Sequence, residues 1–456
     1  MTTYVTAALD KARADGATPP ELAGLRRRLE QLADPTAGQL PGESLEPLGD
    51  LPRLADLPEP DPARAREVLD RVAVIKVNGG LGTSMGLSGP KSLLEVKPGH
   101  TFLDIVARQV LATRQENAAR LPLLLMNSAT TREPSLRSLR RHPDLAEQAA
   151  ALPLDFLQGR EPKLRASDRF PIQWPARPEL EWCPPGHGDV YTALAATGTL
   201  ATLLDAGIHW CFVSNADNLG ASIDPRIATW IADEQVPFVM EAVRGTAADR
   251  KGGHLALHRG RTVLRETAQV PAGDPSFTDV SRWRFYNSNN LWIDLRALRD
   301  LLATQPAGPD LPLIVNHKNV DPTDSSSPAV LQLETAMGAA IGAIPGARAI
   351  EVPRTRFAPV KTTDDLLVVR SDAYDLARDG RLLPTFDGSG PVVTLDRDHY
   401  RHLSDLARHF PHGVPSLREC ESLEVSGPVT FGADIVIEGT VRLTGPKTVP
   451  DGERLT

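Results

Sequence analysis

The chain has 456 residues, with 50 Lys plus Arg against 58 Asp plus Glu and a formal net charge of −8. That length predicts about three domains at ~100–200 residues each, and an ordinary 41% hydrophobic content supports a sizeable core. The acidic balance argues against non-specific nucleic-acid binding. The scattered Cys183, Cys211 and Cys420 exclude a disulfide framework, and no apolar run reaches the ~18 residues of a membrane span.

The opening MTTYVTAALDKARADG carries charges where a signal peptide needs its apolar stretch, so the expected compartment is the cytoplasm. Residues 1–70 read as a helical extension and linker. In PELAGLRRRLEQLA, Leu22, Leu25, Leu29 and Leu32 recur at helical spacing, with arginines on the other faces. The proline- and acid-rich stretch 41–62 reads as linker with short turns, and a packing role without chemistry is expected there.

From residue 71 to 372 short apolar runs alternate with amphipathic ones. VAVIKV (72–77), LPLLLMN (121–127), IHWCFVSN (208–215) and PFVMEAV (237–243) read as buried strands. Thr101 and Asp104 form a capping-box pattern, followed by Phe102, Ile105, Val106 and Val110 on one helical face. Alternation of this kind predicts an α/β domain with a largely parallel sheet, whose ligands sit beyond the carboxyl ends of the strands. In the tail, 373–456, the pairs Leu423/Val425, Val429/Phe431, Ile435/Ile437 and Val441/Leu443 repeat every six residues. Such a hexad suits short strands stacked as a parallel β-helix.

The chemistry is expected in loops after strands. VIKVNGGLGTSMGLSGPKS (74–92) is glycine-rich, yet Met85 stands where a dinucleotide fingerprint needs its third glycine, and Pro90 separates Gly89 from Lys91. Its glycines let backbone N–H groups approach a ligand, and Pro90 presents Lys91 as a positioned charge for phosphate. CPPGHGDVY (183–191) holds His187 in a rigid loop. SNADNLG (214–220) places Asp217 at a strand end, suited to Mg²⁺, which takes few protein carboxylates. FYNSNNLWIDL (285–295) offers amides suited to sugar hydroxyls, and RFAPVKTTDDLL (356–367) again sets a lysine, Lys361, near a proline.

These blocks, with KGGHLA (251–256) and LETAMG (333–338), follow one another in an order that closely resembles the UTP–glucose-1-phosphate uridylyltransferase family of the eukaryotic-like type. The resemblance implies a GT-A-like (nucleotide-diphospho-sugar transferase, Rossmann-like) α/β domain and a C-terminal left-handed parallel β-helix. It implies nucleotide contacts at Leu81, Gly82, Lys91, Gln158, Gly186 and Asp217, with Asp217 also holding Mg²⁺ as the cofactor. His187, Glu241, Gly253, Asn290 and Lys361 match sugar-phosphate positions, and Lys91 and Lys361 are the implied catalytic pair. The segment around Gln158, with Gly159 and Arg160 after it, departs from the family's usual wording, as does Ala216 before Asp217.

The implied partners are UTP and glucose 1-phosphate, giving UDP-glucose and pyrophosphate, with no nucleic acid, no membrane and a homo-oligomer through the β-helix as an option. A sugar phosphate is already an anion, so no general base is required, and catalysis reduces to positioning and charge neutralisation. A broader UDP-sugar pyrophosphorylase and a silent sugar-nucleotide-binding homologue are the alternatives. A pyrophosphate-release assay separates them.

Overall fold

The apolar runs become strands because both faces of their sheet are covered. The computed structural model describes residues 3–34, 38–148, 151–246, 249–386, 388 and 390–456. Its main sheet comprises β1 (Val72–Asn78), β2 (Leu123–Asn127), β3 (Asp155–Leu157), β4 (Trp210–Asn215), β5 (Phe238–Arg244), β6 (His254–His258), β7 (Arg261–Arg265), β8 (Phe285–Asp294) and β9 (Arg348–Glu351). The order is β7-β6-β8-β4-β1-β2-β3, with β5 paired to β8 and β9 paired to β5. Strand β1 is parallel to β2 and β4, and only β7 and β8 run against the common direction. The sheet is therefore mixed and mostly parallel.

Period-two alternation divides β1 between two cores. Val72 and Val74 pack on the side of Phe102, Ile105 and Val106, while Ala73 and Ile75 pack with Val190, Leu194 and Leu203. Two-sided burial explains the unbroken hydrophobic strings.

Helices α1 (Tyr4–Ala14) and α2 (Pro19–Gln31) precede α3 (Pro62–Leu69) and α4 (Phe102–Asn117). The expected capping box starts α4: Thr101 Oγ1 accepts from Asp104 N at 3.1 Å, and the Asp104 carboxylate accepts from Thr101 N at 3.0 Å. Leu25 and Leu29 of α2 join Ala8, Leu9 and Ala12 of α1 over Leu164, Leu331 and Leu333. Those three belong to a small antiparallel sheet of Leu164–Arg165, Leu313–Asn319 and Ala329–Thr335. The proline-rich stretch is a strap rather than a free linker. Leu45 and Leu54 are buried, Glu46 bridges to Leu257, and Glu351 N on edge strand β9 donates to Pro52 O at 2.8 Å.

The tail forms β10 (Val392–Leu395), β11 (Ser416–Ser426), β12 (Val429–Phe431), β13 (Val436–Thr444), β14 (Lys447–Val449) and β15 (Arg454–Leu455). Strands β10-β11-β13-β15 and β12-β14 pair in parallel. Leu423 faces Val441, Val429 faces Lys447 and Val436 faces Arg454, so in these three pairings the partner lies eighteen residues on, three hexads away. All eight hexad side chains are buried. One continuous core runs from the sheet through Val360, Leu366 and Leu367 into Leu417 and Leu423.

Candidate active site

The glycine loop leaves β1 at its carboxyl end and is closed by Lys91 N donating to Gly80 O at 3.1 Å. Gly82 turns it with a φ of +63°, a left-handed conformation that a Cβ would strain. Met85, in the place of a third glycine, is buried and anchors the loop. After Pro90 the chain makes a single 3-10 turn, Lys91–Leu93, that aims Lys91 across the strand ends. Its Nζ lies 2.5 Å from Asp217 Oδ2 and also donates to Val360 O. Both side chains keep some exposure, 15% for Lys91 and 22% for Asp217.

Asp217 follows β4 in a loop fixed from below. Lys76, fully buried in β1, donates to Ser214 Oγ and to Ala221 O, both at 2.7 Å, and so staples the two ends of that loop. Burial pushes the Lys76 ammonium down to about 7, with the Arg356 charge lowering it further against Glu241 and Asp217. No group of three or more His, Cys, Asp or Glu among the described residues could hold a metal by itself. A single part-exposed carboxylate fits Mg²⁺, provided that phosphate oxygens supply further ligands.

His187 opens a 3-10 turn, His187–Asp189, that runs straight into the helix Val190–Ala196. Its Nδ1 accepts from Met337 N at 3.0 Å, which leaves the proton on Nε2. Burial holds its pKa down at about 4; the Lys361 charge adds to this and Asp217 opposes it. The imidazole is thus a neutral donor at pH 7, within the field of both charged groups. Lys361 is exposed, just before Thr362, which caps the helix Thr363–Arg370 together with Asp365. Lys361 also acts on Glu266, a carboxyl raised mainly by burial, with the Lys361 charge and the Asn287 amide opposing. A Cβ on Gly253 would lie 2.5 Å from the Glu266 carboxyl carbon, so that glycine brings β6 against Glu266.

Beneath this rim lies a saturated polar floor. Glu241 is fully buried; its carboxylate accepts from Arg356 Nε and Nη2 at 2.7 Å and from Trp292 Nε1 and Asn290 Nδ2 at 3.0 Å. Asn290 is fully buried too, and its Oδ1 accepts from Asn218 Nδ2 at 3.1 Å. The register of β5 on β8 shifts between Glu241 and Ala242, so Glu241 faces Asn290 while Ala242 faces Asn287. The extra residues form a bulge in which Asn289 takes a φ of +56°. Glu241 and Asn290 therefore turn into the protein; Asn287 is buried as well, its Nδ2 donating to Asn289 Oδ1 at 2.9 Å, and Asn289 is half-buried.

Gln158 follows β3, its N donating to Asn127 O at 2.8 Å, and its amide packs where a Cβ on Gly79 would be, 2.4 Å from Oε1. Leu81 is half-buried at the loop tip. Gly186 has a φ of +81°, and a Cβ there would lie 2.6 Å from Thr335 O, so only glycine lets this turn close on the 329–335 strand.

Sequence reasoning missed Lys76, Asn218, Glu266 and Arg356. Asn218 and Arg356 stand inside the quoted blocks SNADNLG and RFAPVKTTDDLL, and a polar residue amid β-strand hydrophobics was the available signal for Lys76.

A glycine loop, two lysines, a neutral histidine and one carboxylate at the carboxyl edge of such a sheet define an α/β protein class that holds phosphorylated ligands outside its strand ends. The chain belongs to the UTP–glucose-1-phosphate uridylyltransferase family, whose model matches residues 31–438. It is 38% identical over 408 residues to the Hordeum vulgare enzyme of that name, covering 88% of this chain and 83% of the relative. The Saccharomyces cerevisiae enzyme is 38% identical over 376 residues, covering 82% and 74%. Among solved structures, a variant UDP-glucose pyrophosphorylase from Leishmania major in complex with UDP-glucose superimposes with a TM-score of 0.93 at 40% identity, covering 100% of this chain and 98% of that one. A Trypanosoma brucei UDP-glucose phosphorylase gives 0.91 at 40% identity, covering 99% of each.

Proposed function

We propose that the protein makes UDP-glucose and pyrophosphate from UTP and glucose 1-phosphate. The observation that carries this reading is the meeting of Lys91 with Asp217 at the strand ends, beside His187 and Lys361. A phosphate oxygen of glucose 1-phosphate attacks the UTP α-phosphorus in line. One P–O bond forms there as the bond to the α–β bridging oxygen breaks, and pyrophosphate departs with that electron pair.

The chain's own residues neutralise and orient. Lys91 gives its charge to the triphosphate, His187 donates from Nε2, and Lys361 stabilises charge at the α-phosphate. Asp217 would hold Mg²⁺ against phosphate oxygens, where the ion supplies positive charge. Leu81, Gly82, Gln158 and Gly186 serve the nucleotide, with Gln158 and Gly186 at the base. Asn287 and Glu266 sit where sugar hydroxyls would arrive, with Gly253 behind, while Glu241 and Asn290 act through the floor that shapes this pocket.

The 71–372 domain is read as GT-A-like. The eighteen-residue repeat of the 373–456 tail supports a left-handed β-helix, whose last strand could pair copies of the chain. No helix among the described residues is long and apolar enough to cross a membrane, and a cytoplasmic site of action fits its substrates. Pyrophosphate release measured over a grid of nucleoside triphosphates and sugar 1-phosphates tests the reading. UTP with glucose 1-phosphate should lead; preference for another pair, or no release from any, overturns it.

A further inference from the structure

The N-terminal helices do more than cover a hydrophobic patch. Three of their charged side chains reach the four-residue segment 158–161. Arg28 of α2, itself buried, donates from Nε to Glu161 Oε2 at 2.9 Å, and its Nη2 lies 2.6 Å from the same oxygen. Asp15, just past α1, pairs with Arg160 at 2.6 Å. Glu21 Oε1 lies 3.2 Å from where a Cβ on Gly159 would be, so the segment approaches the α2 carboxylate closely at this glycine. Buried Asp189 then ties this segment to the 186–189 turn, accepting from Gly159 N at 2.6 Å and from Thr192 Oγ1 at 3.0 Å. Gln158 and Gly186 are thus held by one scaffold whose outer wall is α2.

We propose that the N-terminal helix pair is a positioning element for nucleotide recognition, with Arg28 and Asp15 setting the segment that carries Gln158 against the turn that carries Gly186. The inference rests on the reading of those two residues as base-facing. Gly159 and Arg160, directly after Gln158, are the residues that meet Glu21 and Asp15. Burial, opposed by Arg28, pushes Glu161 up to about 7. A buried ion pair of this kind contributes little stability over apolar residues of the same volume, so its proposed role here is to fix the position of the segment.

The test compares wild type with a double variant, Arg28→Met with Glu161→Met, which replaces the pair by apolar volume. UTP binding by calorimetry, the KM for each substrate and the melting temperature are measured together. UTP affinity should fall about tenfold while the KM for glucose 1-phosphate stays within about twofold and the protein stays folded. Unchanged UTP affinity in the folded double variant overturns the proposal, as does an equal loss for both substrates. If the double variant does not fold, Asp15→Ala with Arg160→Ala, at the protein surface, decides the matter. A weakening of UTP binding by about twofold or more supports the proposal, and none refutes it. Because UTP binding is read without turnover, a wild type that binds UTP yet releases no pyrophosphate sinks the proposed reaction and leaves this inference to the variants.

Discussion

The rim and the floor of the site are built from the same residue types and use them oppositely. On the rim, Lys91 and Asp217 hold each other at 2.5 Å with part of each side chain exposed, and Lys361 stands in solvent. On the floor, Arg356 and Glu241 are buried and share two hydrogen bonds, while Trp292 and Asn290 occupy the rest of the carboxylate. Charge with capacity left over marks where a polyanion can arrive. Charge spent inside the protein marks what keeps the rim in place. Motif blocks carry both kinds side by side, and only burial tells them apart.

Substitutions should split along that line. Asp217→Ala, on the rim, is expected to cost on the order of 10³-fold in Mg²⁺-dependent turnover with little change in stability. Full activity at ordinary Mg²⁺ would remove Asp217 from its assigned role. Arg356→Met, on the floor, leaves Glu241 buried without its counter-charge and should cost about 3–5 kcal/mol in urea unfolding. A variant as stable as wild type but inactive would move Arg356 to the rim. Lys361→Ala should lower kcat on the order of 10²-fold with an unchanged melting curve; near-normal turnover in a folded protein would show that its charge is not used.

The smallest effect concerns His254, stacked on Trp283 at 4.6 Å between ring centroids, with neither ring nitrogen hydrogen-bonded. Burial, helped by Arg265, holds its pKa down at about 3. The unfolded chain, with an ordinary histidine value of about 6.5, therefore takes up the proton first as pH falls. This residue's contribution to stability is complete above that value and is lost progressively from about 6.5 towards 3. His254→Phe should flatten the fall in melting temperature between pH 6.5 and 4, and an unaltered slope would show that the ring does not titrate as described.

Much of the fold was legible. The four apolar runs lie on strands of one sheet, Thr101 and Asp104 cap α4, and the hexad side chains all point inward. Local pattern suffices for such features, because period and capping are properties of neighbouring residues. The site was legible as a set of blocks and less so residue by residue. Asn290 and Asn289 are adjacent in a run of amides, and the bulge opposite Glu241 alone sends one inward and sets the other in the left-handed region. The partnership of Glu241 with Arg356 spans 115 residues and leaves no periodic trace. The stretch 41–62 looked like linker because its prolines forbid long elements, yet Leu45 and Leu54 anchor it across the sheet.

From the sequence alone followed the element types, the glycine loop with its separately presented lysine, and the set of chemical groups available to a phosphorylated ligand. Those depend on residues close in the chain, where sterics and hydrophobic period act directly. The tertiary structure alone decided which charges are spent inside the protein and which keep exposure, which amide turns inward, and that α2 stands behind the segment 158–161. These outcomes depend on desolvation and on partners far apart in the chain, and both exist only once the sheet has closed around them.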